Sequence, residues 1–477
     1  MPESSGYKWH EIEDLPPDLE SLRDREMEAL FEAWLAERGN FDAADVKSFN
    51  DRLKREWAIE TGIIEDVYTL DRGITQTLIE RGIDSAYIPH DSTNRDPELV
   101  ARTIQAHAEV LDGLFDFVTG QRSLSVGYIR ELHAALLRYV SKITVIDQFG
   151  KTFETEFEKG QYKRLPNSPT KPDGAIHEYC PPEHTAAEMD RLVELHRRHD
   201  ETKVSAHIEA AWLHHAFTQI HPFQDGNGRV TRALASLVFI KAGFFPLVVT
   251  RDDRIRYIDA LEAADAGSLS ELTALFGRIQ KRSLTKAIGN VADIRPGDTV
   301  EEALKVTRNL LVNTGRIIPV EYLGAKTVAA QLLARAQDRL NQMQGTLTHD
   351  ISRVDNAFAF SVALMDACSP EELRSLASLL SYDPNAAGCL GARVLLLKAG
   401  TASSRITMIA HSLGPAFRGL VAFAAYFTRG DGQVIPLSDD VFRITYNENV
   451  NDVVRRFIPW LEKALINGLA EWRRTLA

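Results

Sequence analysis

The stretch His221-Pro-Phe-Gln-Asp-Gly-Asn-Gly-Arg-Val-Thr-Arg232 decides the fold of the region around it. Before it, His207 to Ile220 (HIEAAWLHHAFTQI) places Ile208, Trp212 and Ala216 at helical spacing and predicts an amphipathic helix. After it, Arg229 to Phe239 (RVTRALASLVF) is apolar on most faces, which predicts a second, buried helix. Between them HPFQDGNG is a turn rich in helix breakers. The second helix is therefore expected to start right after Gly226-Asn227-Gly228, with its first free N–H groups aimed back into the turn.

A helix N-terminus behind a glycine-rich turn is an anion site, because unpaired backbone donors and the helix dipole both favour negative charge. Gly226 and Gly228 permit positive φ and the close approach of a phosphate, and Asn227 tolerates the same conformation. Arg229 and Arg232, three apart, share a helix face and carry planar forks suited to phosphate oxygens. Asp225 offers a hard oxygen ligand, and Mg²⁺ typically binds through one or two carboxylates together with substrate phosphates. His221 is the expected base, since a neutral imidazole can take a proton from an attacking hydroxyl near physiological pH. Phe223 is expected to pin the loop to the core. The loop reads as a cradle for a nucleotide polyphosphate.

The run also resembles the signature of the Fic (Fic/Doc, Fido) family, His-x-Phe-x-Asp/Glu-Gly-Asn-Gly-Arg-x-x-Arg, at all of its specified positions: His221, Phe223, Asp225, Gly226, Asn227, Gly228, Arg229 and Arg232. The resemblance implies a protein adenylyltransferase that moves AMP from ATP to a hydroxyl of a target protein (AMPylation). It implies His221 as the base, Asp225 as the Mg²⁺ ligand on the α- and β-phosphates, Gly226 to Arg229 as the anion nest, and Arg232 on the γ-phosphate. Upstream, Asp51 to Tyr68 (DRLKREWAIETGIIEDVY) predicts a helix with Leu53, Trp57, Ile64 and Tyr68 on its apolar face. Within it Thr61-Gly-Ile-Ile-Glu65-Asp66 resembles the family's inhibitory motif Ser/Thr-x-x-x-Glu-Gly/Asn, departing from it at Asp66. That implies Glu65 on Arg232 in the place of the γ-phosphate, helped by Thr61 on the same helix face.

Two further segments resemble family features. Lys163 to Pro182 (KRLPNSPTKPDGAIHEYCPP), with the short run Ala175 to Tyr179, is the expected β-hairpin flap that aligns a target by strand addition. Tyr257-Ile-Asp-Ala-Leu-Glu-Ala-Ala-Asp265 resembles the helix closing the adenine pocket, making Tyr257 and Asp265 candidate contacts to the base. Three function classes stay open: an AMP transferase, a hydrolase that removes AMP from a target through Glu65, and a nucleotide-sensing module. Transfer of phosphate, UMP or phosphocholine is open as well.

The expected fold class is mainly α: a Fic-type helical core with a small β-hairpin flap, a helical N-terminal region and an α+β C-terminal domain. Residues 1–96 form the N-terminal region holding the inhibitory helix. Residues 97–285 form the Fic domain, its core at 124–282 beginning with the helix Tyr128 to Tyr139, and residues 286–477 form the C-terminal domain, which carries no motif tied to chemistry. In it Asn313 to Leu340, Ser369 to Leu380 and Val453 to Trp472 predict helices, while Arg393 to Lys398, Leu420 to Phe427 and Val441 to Tyr446 predict strands. With 55 basic and 67 acidic residues the 477-residue chain has a formal charge of −12, which gives no footprint for nucleic acid. Hydrophobic residues at 44% suffice for sizeable cores, and no apolar run is long enough to span a bilayer. Cys180, Cys368 and Cys389 have no metal spacing and form no even framework, which suits a reducing, cytoplasmic setting. The expected partners are ATP, Mg²⁺ and a target protein presenting a Ser, Thr or Tyr hydroxyl; a homodimer is compatible.

Overall fold

The computed structural model describes residues 7–38, 43–146, 152–170, 175–290, 320–353, 355–365, 369–382, 384–400, 402–413 and 419–476. In chain order its elements are α1 (Arg25–Glu37), α2 (Ala43–Ile64), α3 (Arg72–Arg81), α4 (Pro97–Thr119), α5 (Val126–Leu136), β1 (Lys142–Ile146), β2 (Thr152–Glu156), α6 (Thr185–Glu201), α7 (Ala206–Ile220), α8 (Asn227–Lys241), α9 (Arg254–Asp265) and α10 (Ser270–Asn290). There follow α11 (Val320–Leu347), β3 (Phe358–Met365), α12 (Pro370–Leu380), β4 (Pro384–Ala399), β5 (Ala402–Leu413), β6 (Leu420–Thr428), β7 (Val434–Pro436), β8 (Phe442–Thr445) and α13 (Val450–Leu476). The chain divides into two compact units, residues 1–24 with 47–280 and residues 25–46 with 281–477. No helix among the described residues is long and apolar enough to cross a membrane.

The first unit is helical and built around α8, which packs against α4, α5 and α7. Its side chains are buried almost without break from Arg229 to Ile240, as a helix apolar on most faces requires. The surrounding helices start where local chemistry allows. Asp96 caps α4 by accepting from Glu98 N, with Pro97 in the first turn, and Ser125 caps α5 by accepting from Tyr128 N. Helix α2 is docked on α8 through Trp57, whose indole Nε1 donates to Ser236 Oγ at 3.1 Å, while Ser236 Oγ donates to Arg232 O at 2.8 Å. At the far end of α2, Glu60 takes Arg251 N at 2.8 Å and Arg251 Nη2 at 3.0 Å. The docking sets the height at which the residues just past Glu60 meet α8.

Helix α2 stops at Ile64, not at Tyr68. Glu65 and Asp66 form a turn, with Asp66 N on Ile63 O and Val67 N on Gly62 O, and Asp66 adopts a φ of +51°. Tyr68 folds back over the helix it was expected to continue, its hydroxyl donating to Ile59 O at 3.0 Å. A Cβ on Gly62 would lie 2.4 Å from that hydroxyl, so the fold-back requires glycine there.

The regular hairpin of this unit is β1–β2, antiparallel with Lys142 opposite Glu156 and Ile146 opposite Thr152, outside the segment expected to supply it. Within Lys163–Pro182 a single antiparallel bridge joins Thr170 to Ile176, and residues 171–174 between them lie outside the described set. Around that bridge the backbone donors go to scattered partners, Lys163 N to Pro222 O, Glu178 N to Tyr7 O and Cys180 N to Gln219 O.

The second unit contains an antiparallel sheet in the order β3-β4-β5-β6, with β7 and β8 both pairing with β6. One face carries α11 and α13: Leu332, Ala336 and Leu340 and, from α13, Phe457, Leu461 and Leu465 meet Leu395, Leu397, Ile406, Met408, Val421, Phe423 and Phe427. Helix α12 buries Leu373, Leu376 and Ala377 and contacts β4 and β7. Two predicted strands fall within β4 and β6 and the third, Val441 to Tyr446, encloses β8, while β3, β5 and β7 are additional. Cys389 is disulfide-bonded, which the expectation of a reducing setting did not foresee, whereas Cys180 is a free, buried thiol.

Candidate functional site

The loop between α7 and α8 is held from four sides. Its α7 end is His221, in the left-handed region at φ +48°, with its N–H on Phe217 O at 2.9 Å. Phe223 is fully buried and lies against His133, ring centroids 3.8 Å apart and 18° from parallel. His133 Nδ1 accepts from Gly160 N at 2.8 Å, so the proton sits on Nε2, which donates to Asp225 O at 3.0 Å. Burial pushes the His133 pKa down to about 4, consistent with a neutral ring that fixes the carbonyl of Asp225. Asn227 closes the loop internally, its Oδ1 accepting from Phe223 N at 2.9 Å and its Nδ2 donating to Phe223 O at 2.7 Å. Asn227 is thus a brace as well as a member of the turn.

Helix α8 begins at Asn227, two residues before the expected start, with Gly226 as its N-cap at φ +82°. A Cβ on Gly226 would strike Leu137 Cδ1 at 2.5 Å, so both conformation and space demand glycine. The first-turn amides of Asn227, Gly228 and Arg229 have no acceptor within the helix. Asp225 Oδ1 accepts from Gly226 N at 2.6 Å, while Oδ2 faces Arg229 Nη2 at 3.4 Å on a half-exposed side chain. Arg229 is buried, and its Nε has no hydrogen-bond partner. A buried guanidinium with an unused donor beside free helix-end amides is suited to an anion.

Arg232 is 1% exposed and fully engaged. Its Nη1 donates to Glu65 Oε1 at 2.9 Å, its Nε to Thr61 Oγ1 at 3.0 Å and its Nη2 to Thr61 O at 3.0 Å. Glu65 also lies over the start of α8, since a Cβ on Gly228 would come within 2.1 Å of its Oε1. The carboxylate therefore occupies the volume in front of the helix-end amides. Next to it Asp66 pairs with Arg254 at 2.8 Å on the surface. An open cavity adjoins Glu65, Asp225 and Arg229, walled across from them by Lys142, Ile143 and Thr144 of β1.

Of the two adenine-pocket candidates, Tyr257 is buried behind Arg232 with its hydroxyl 2.7 Å from His214 Nε2. Asp265 lies apart from it, 2.9 Å from His215 Nε2 and 3.8 Å from His177 Nε2. The structure thus brings Thr61, Glu65, Asp225, Gly226, Asn227, Gly228, Arg229 and Arg232 into one site, and sets Tyr257 behind it.

His221 Nδ1 stands 3.3 Å from Thr218 O, an oxygen that can only accept, so Nδ1 carries the proton and Nε2 keeps its lone pair. Burial, with the Lys163 ammonium nearby and His177 beyond it, pushes the His221 pKa down to about 3. The imidazole is neutral at physiological pH, with a free acceptor nitrogen.

Residues 123–239 match the sequence profile of the Fic/DOC family. That region of the chain is Fic-like. Over 65 residues it is 52% identical to a Fido domain-containing protein of Dictyostelium discoideum, covering 13% of this chain and 45% of that one. Over 230 residues it is 25% identical to a protein adenylyltransferase, fic-1, of Caenorhabditis briggsae, covering 46% of this chain and 39% of that one. The chain spans less than half the length of these curated relatives. Among solved structures, it is similar to a Fic domain-containing signaling protein from Bacteroides thetaiotaomicron, at 24% identity, 57% of this chain, 99% of that chain and a TM-score of 0.47.

Lys163, Asn167, Tyr179 and His133 escaped the sequence reading of the site. His133 is one histidine on a helix, with nothing in its spacing to mark it. The other three lie in a loop whose composition announces a turn but not what the turn touches.

Proposed function

We propose that the protein transfers AMP from ATP to a side-chain hydroxyl of a target protein and that Glu65 holds it inactive at rest. The observation that carries this reading is Arg232, buried and held by three hydrogen bonds to Glu65 and Thr61 directly in front of the unpaired amides of α8. A carboxylate on that guanidinium occupies the position a terminal phosphate would need. Arg229 and the amides of Gly228 and Arg229 would take the remaining phosphate oxygens. Among the described residues no group of three or more His, Cys, Asp or Glu is arranged to hold a metal ion. The half-exposed Asp225 carboxylate suits an ion that arrives with the phosphates and needs only one protein ligand, as Mg²⁺ does, which would neutralise phosphate charge when bound.

In the proposed reaction the target hydroxyl gives its proton to His221 Nε2. Its oxygen bonds to the α-phosphorus, and the bond from that phosphorus to the oxygen bridging to the β-phosphate breaks, releasing pyrophosphate. The chain's own contribution is position and charge, as in phosphoryl transfer generally. The Thr170–Ile176 bridge, with Ile176 half exposed, is the proposed edge for aligning the target segment.

One observation favours a second activity. Glu65 uses Oε1 for Arg232, and its Oε2 has no hydrogen bond among the described residues. That oxygen could orient a water and let the same site remove AMP. Incubation with ATP labelled at the α- or the γ-phosphate tests the first reading, in the wild type and in Glu65→Gly. Protein-bound label from the α position alone is expected, and label from the γ position would mean phosphate transfer instead.

A further inference from the structure

We propose that Lys163, Asn167 and Tyr179 are positioning residues that lock the His221 ring in its proton-accepting tautomer and orientation. This rests on the reading of His221 as the base. The segment 163–180 caps five successive carbonyls of the chain that ends α7 and carries His221. Cys180 N donates to Gln219 O at 3.2 Å, Lys163 Nζ to Ile220 O at 3.1 Å and Asn167 Nδ2 to His221 O at 3.4 Å. Lys163 N then donates to Pro222 O at 2.9 Å, and Asn167 Nδ2 to Phe223 O at 2.7 Å. A helix end leaves such carbonyls without partners, and here one irregular segment supplies them all. A non-glycine residue at φ +48° persists only when its surroundings over-determine it, and His221 has a partner on the carbonyl before it, on its own and on the one after.

The ring is fixed as firmly as the backbone. Tyr179 stacks on it face to face, centroids 3.8 Å apart and 6° from parallel, while Thr218 O takes the Nδ1 proton. Rotation about the ring axis is thereby blocked, and Nε2 is the nitrogen left to face a substrate.

Charge adds to geometry. Lys163 is 4% exposed, with Nζ held also by Asn167 Oδ1 at 2.9 Å and lying 6.0 Å from the Tyr179 ring centroid. The charged and titratable groups around the His221–Tyr179 stack are Lys163 and His177 beside His221, and Asp265, Glu65 and Tyr257 on the Tyr179 side; Cys180 faces Lys163. Burial brings the Lys163 pKa down to about 8, so at neutral pH it remains mainly a cation. A cation that close opposes a second positive charge on His221 in the resting protein. Phosphate oxygens arriving at α8 would relieve the opposition only when nucleotide is bound.

The test is side-chain ¹⁵N NMR of the histidines on the full chain, with assays in parallel. Wild-type His221 is expected to show the Nδ1–H tautomer and no protonation above about pH 5. In Lys163→Met its proton affinity should rise at least tenfold, and in Lys163→Arg, which keeps the charge, it should stay low. A wild-type His221 that titrates like a free imidazole, or carries its proton on Nε2, overturns the proposal without any variant. So does an unchanged His221 titration in a folded Lys163→Met protein. Turnover should fall in Lys163→Met with the ATP KM unchanged, and recover in Lys163→Arg. If the NMR behaves as expected while neither the wild type nor Glu65→Gly transfers AMP, the clamp stands and the reading of His221 as the base falls.

Discussion

At the scale of single residues, the proposed inhibition comes down to one competition, because a guanidinium cannot hold Glu65 and a γ-phosphate in the same place. Truncating one side of a desolvated charge pair shifts binding by a few kcal/mol. Glu65→Gly is therefore expected to raise transfer of α-labelled AMP more than about tenfold, in autolabelling or on a target. Equal rates in the two proteins would leave Thr61 and Glu65 as a structural cap on Arg232. His221→Ala separates chemistry from binding. Loss of a general base costs on the order of 10²–10⁴ in rate, whereas the phosphate cradle is made by α8 and its two arginines. Transfer should vanish while ATP affinity, read by titration calorimetry in the Glu65→Gly background, is kept. An active His221→Ala enzyme would remove this ring from the mechanism. The proposed roles could be written down from His221–Arg232 because each needs a distinct residue type at a fixed offset. The residues that hold the loop carry no such marks, since Lys163 and Asn167 are remote in sequence and act mainly on backbone carbonyls that any residue would present.

At the scale of elements, helix periods were legible and helix ends less so. The α7–α8 pair emerges at its expected place because the apolar periodicity runs up to the breakers on both sides. Helix α2 ends early because Tyr68, counted on the apolar face, satisfies its hydroxyl on Ile59 O only by turning back at Glu65 and Asp66. That reversal is what delivers Glu65 to Arg232, so the early stop is part of the site. Gly62 tests the connection. A methyl there would meet the Tyr68 ring and hydroxyl at 2.4–2.7 Å, and the ring is 1% exposed with nowhere to move freely. Gly62→Ala is expected to destabilise the first unit by about 1–3 kcal/mol, as overpacked cores do, and to loosen Glu65 so that transfer rises. Unchanged unfolding midpoint and unchanged activity would mean that the turn after Ile64 does not depend on the Tyr68 fold-back. In the second unit, β5 was missed for a different reason. Ser404, Thr407, His411 and Ser412 are buried within it, so the sequence shows neither alternation nor an apolar run.

At the scale of the whole molecule, the mainly helical character with strands gathered toward the C-terminus was legible from periodicity. The assignment of residues 25–46 to the unit that also holds 281–477 was not, because nothing in a helix sequence says which distant surface its apolar face will meet. Charge behaviour likewise follows from the fold. Burial lowers His107 and His221 to about 3 and His133 to about 4, and lowers His214 well below the ordinary 6.5. In the second unit burial lowers His411 to about 4. The opposite sign occurs at His199, where burial works downward but the Glu209 and Asp14 carboxylates outweigh it and raise the pKa. For the lowered group the unfolded chain binds more protons than the folded one between the folded pKa and 6.5. Its stabilising contribution is complete above 6.5 and is lost as pH falls toward 3–4. His199 contributes in the other direction, with its stability present in full below 6.5. Glu448 acts in the same direction as His199, because burial pushes its carboxyl up to about 7 and the folded chain holds that proton more tightly. Five lowered histidines against these two raised groups still give a net loss of stability on acidification. The melting temperature followed by calorimetry is therefore expected to fall steadily from about pH 7 to about pH 4.5, a window that lies above most of the ordinary carboxylate range. A melting temperature that holds or rises across that window would mean that these rings are protonated in the folded protein, and the neutral His221 on which the proposed chemistry depends would go with them.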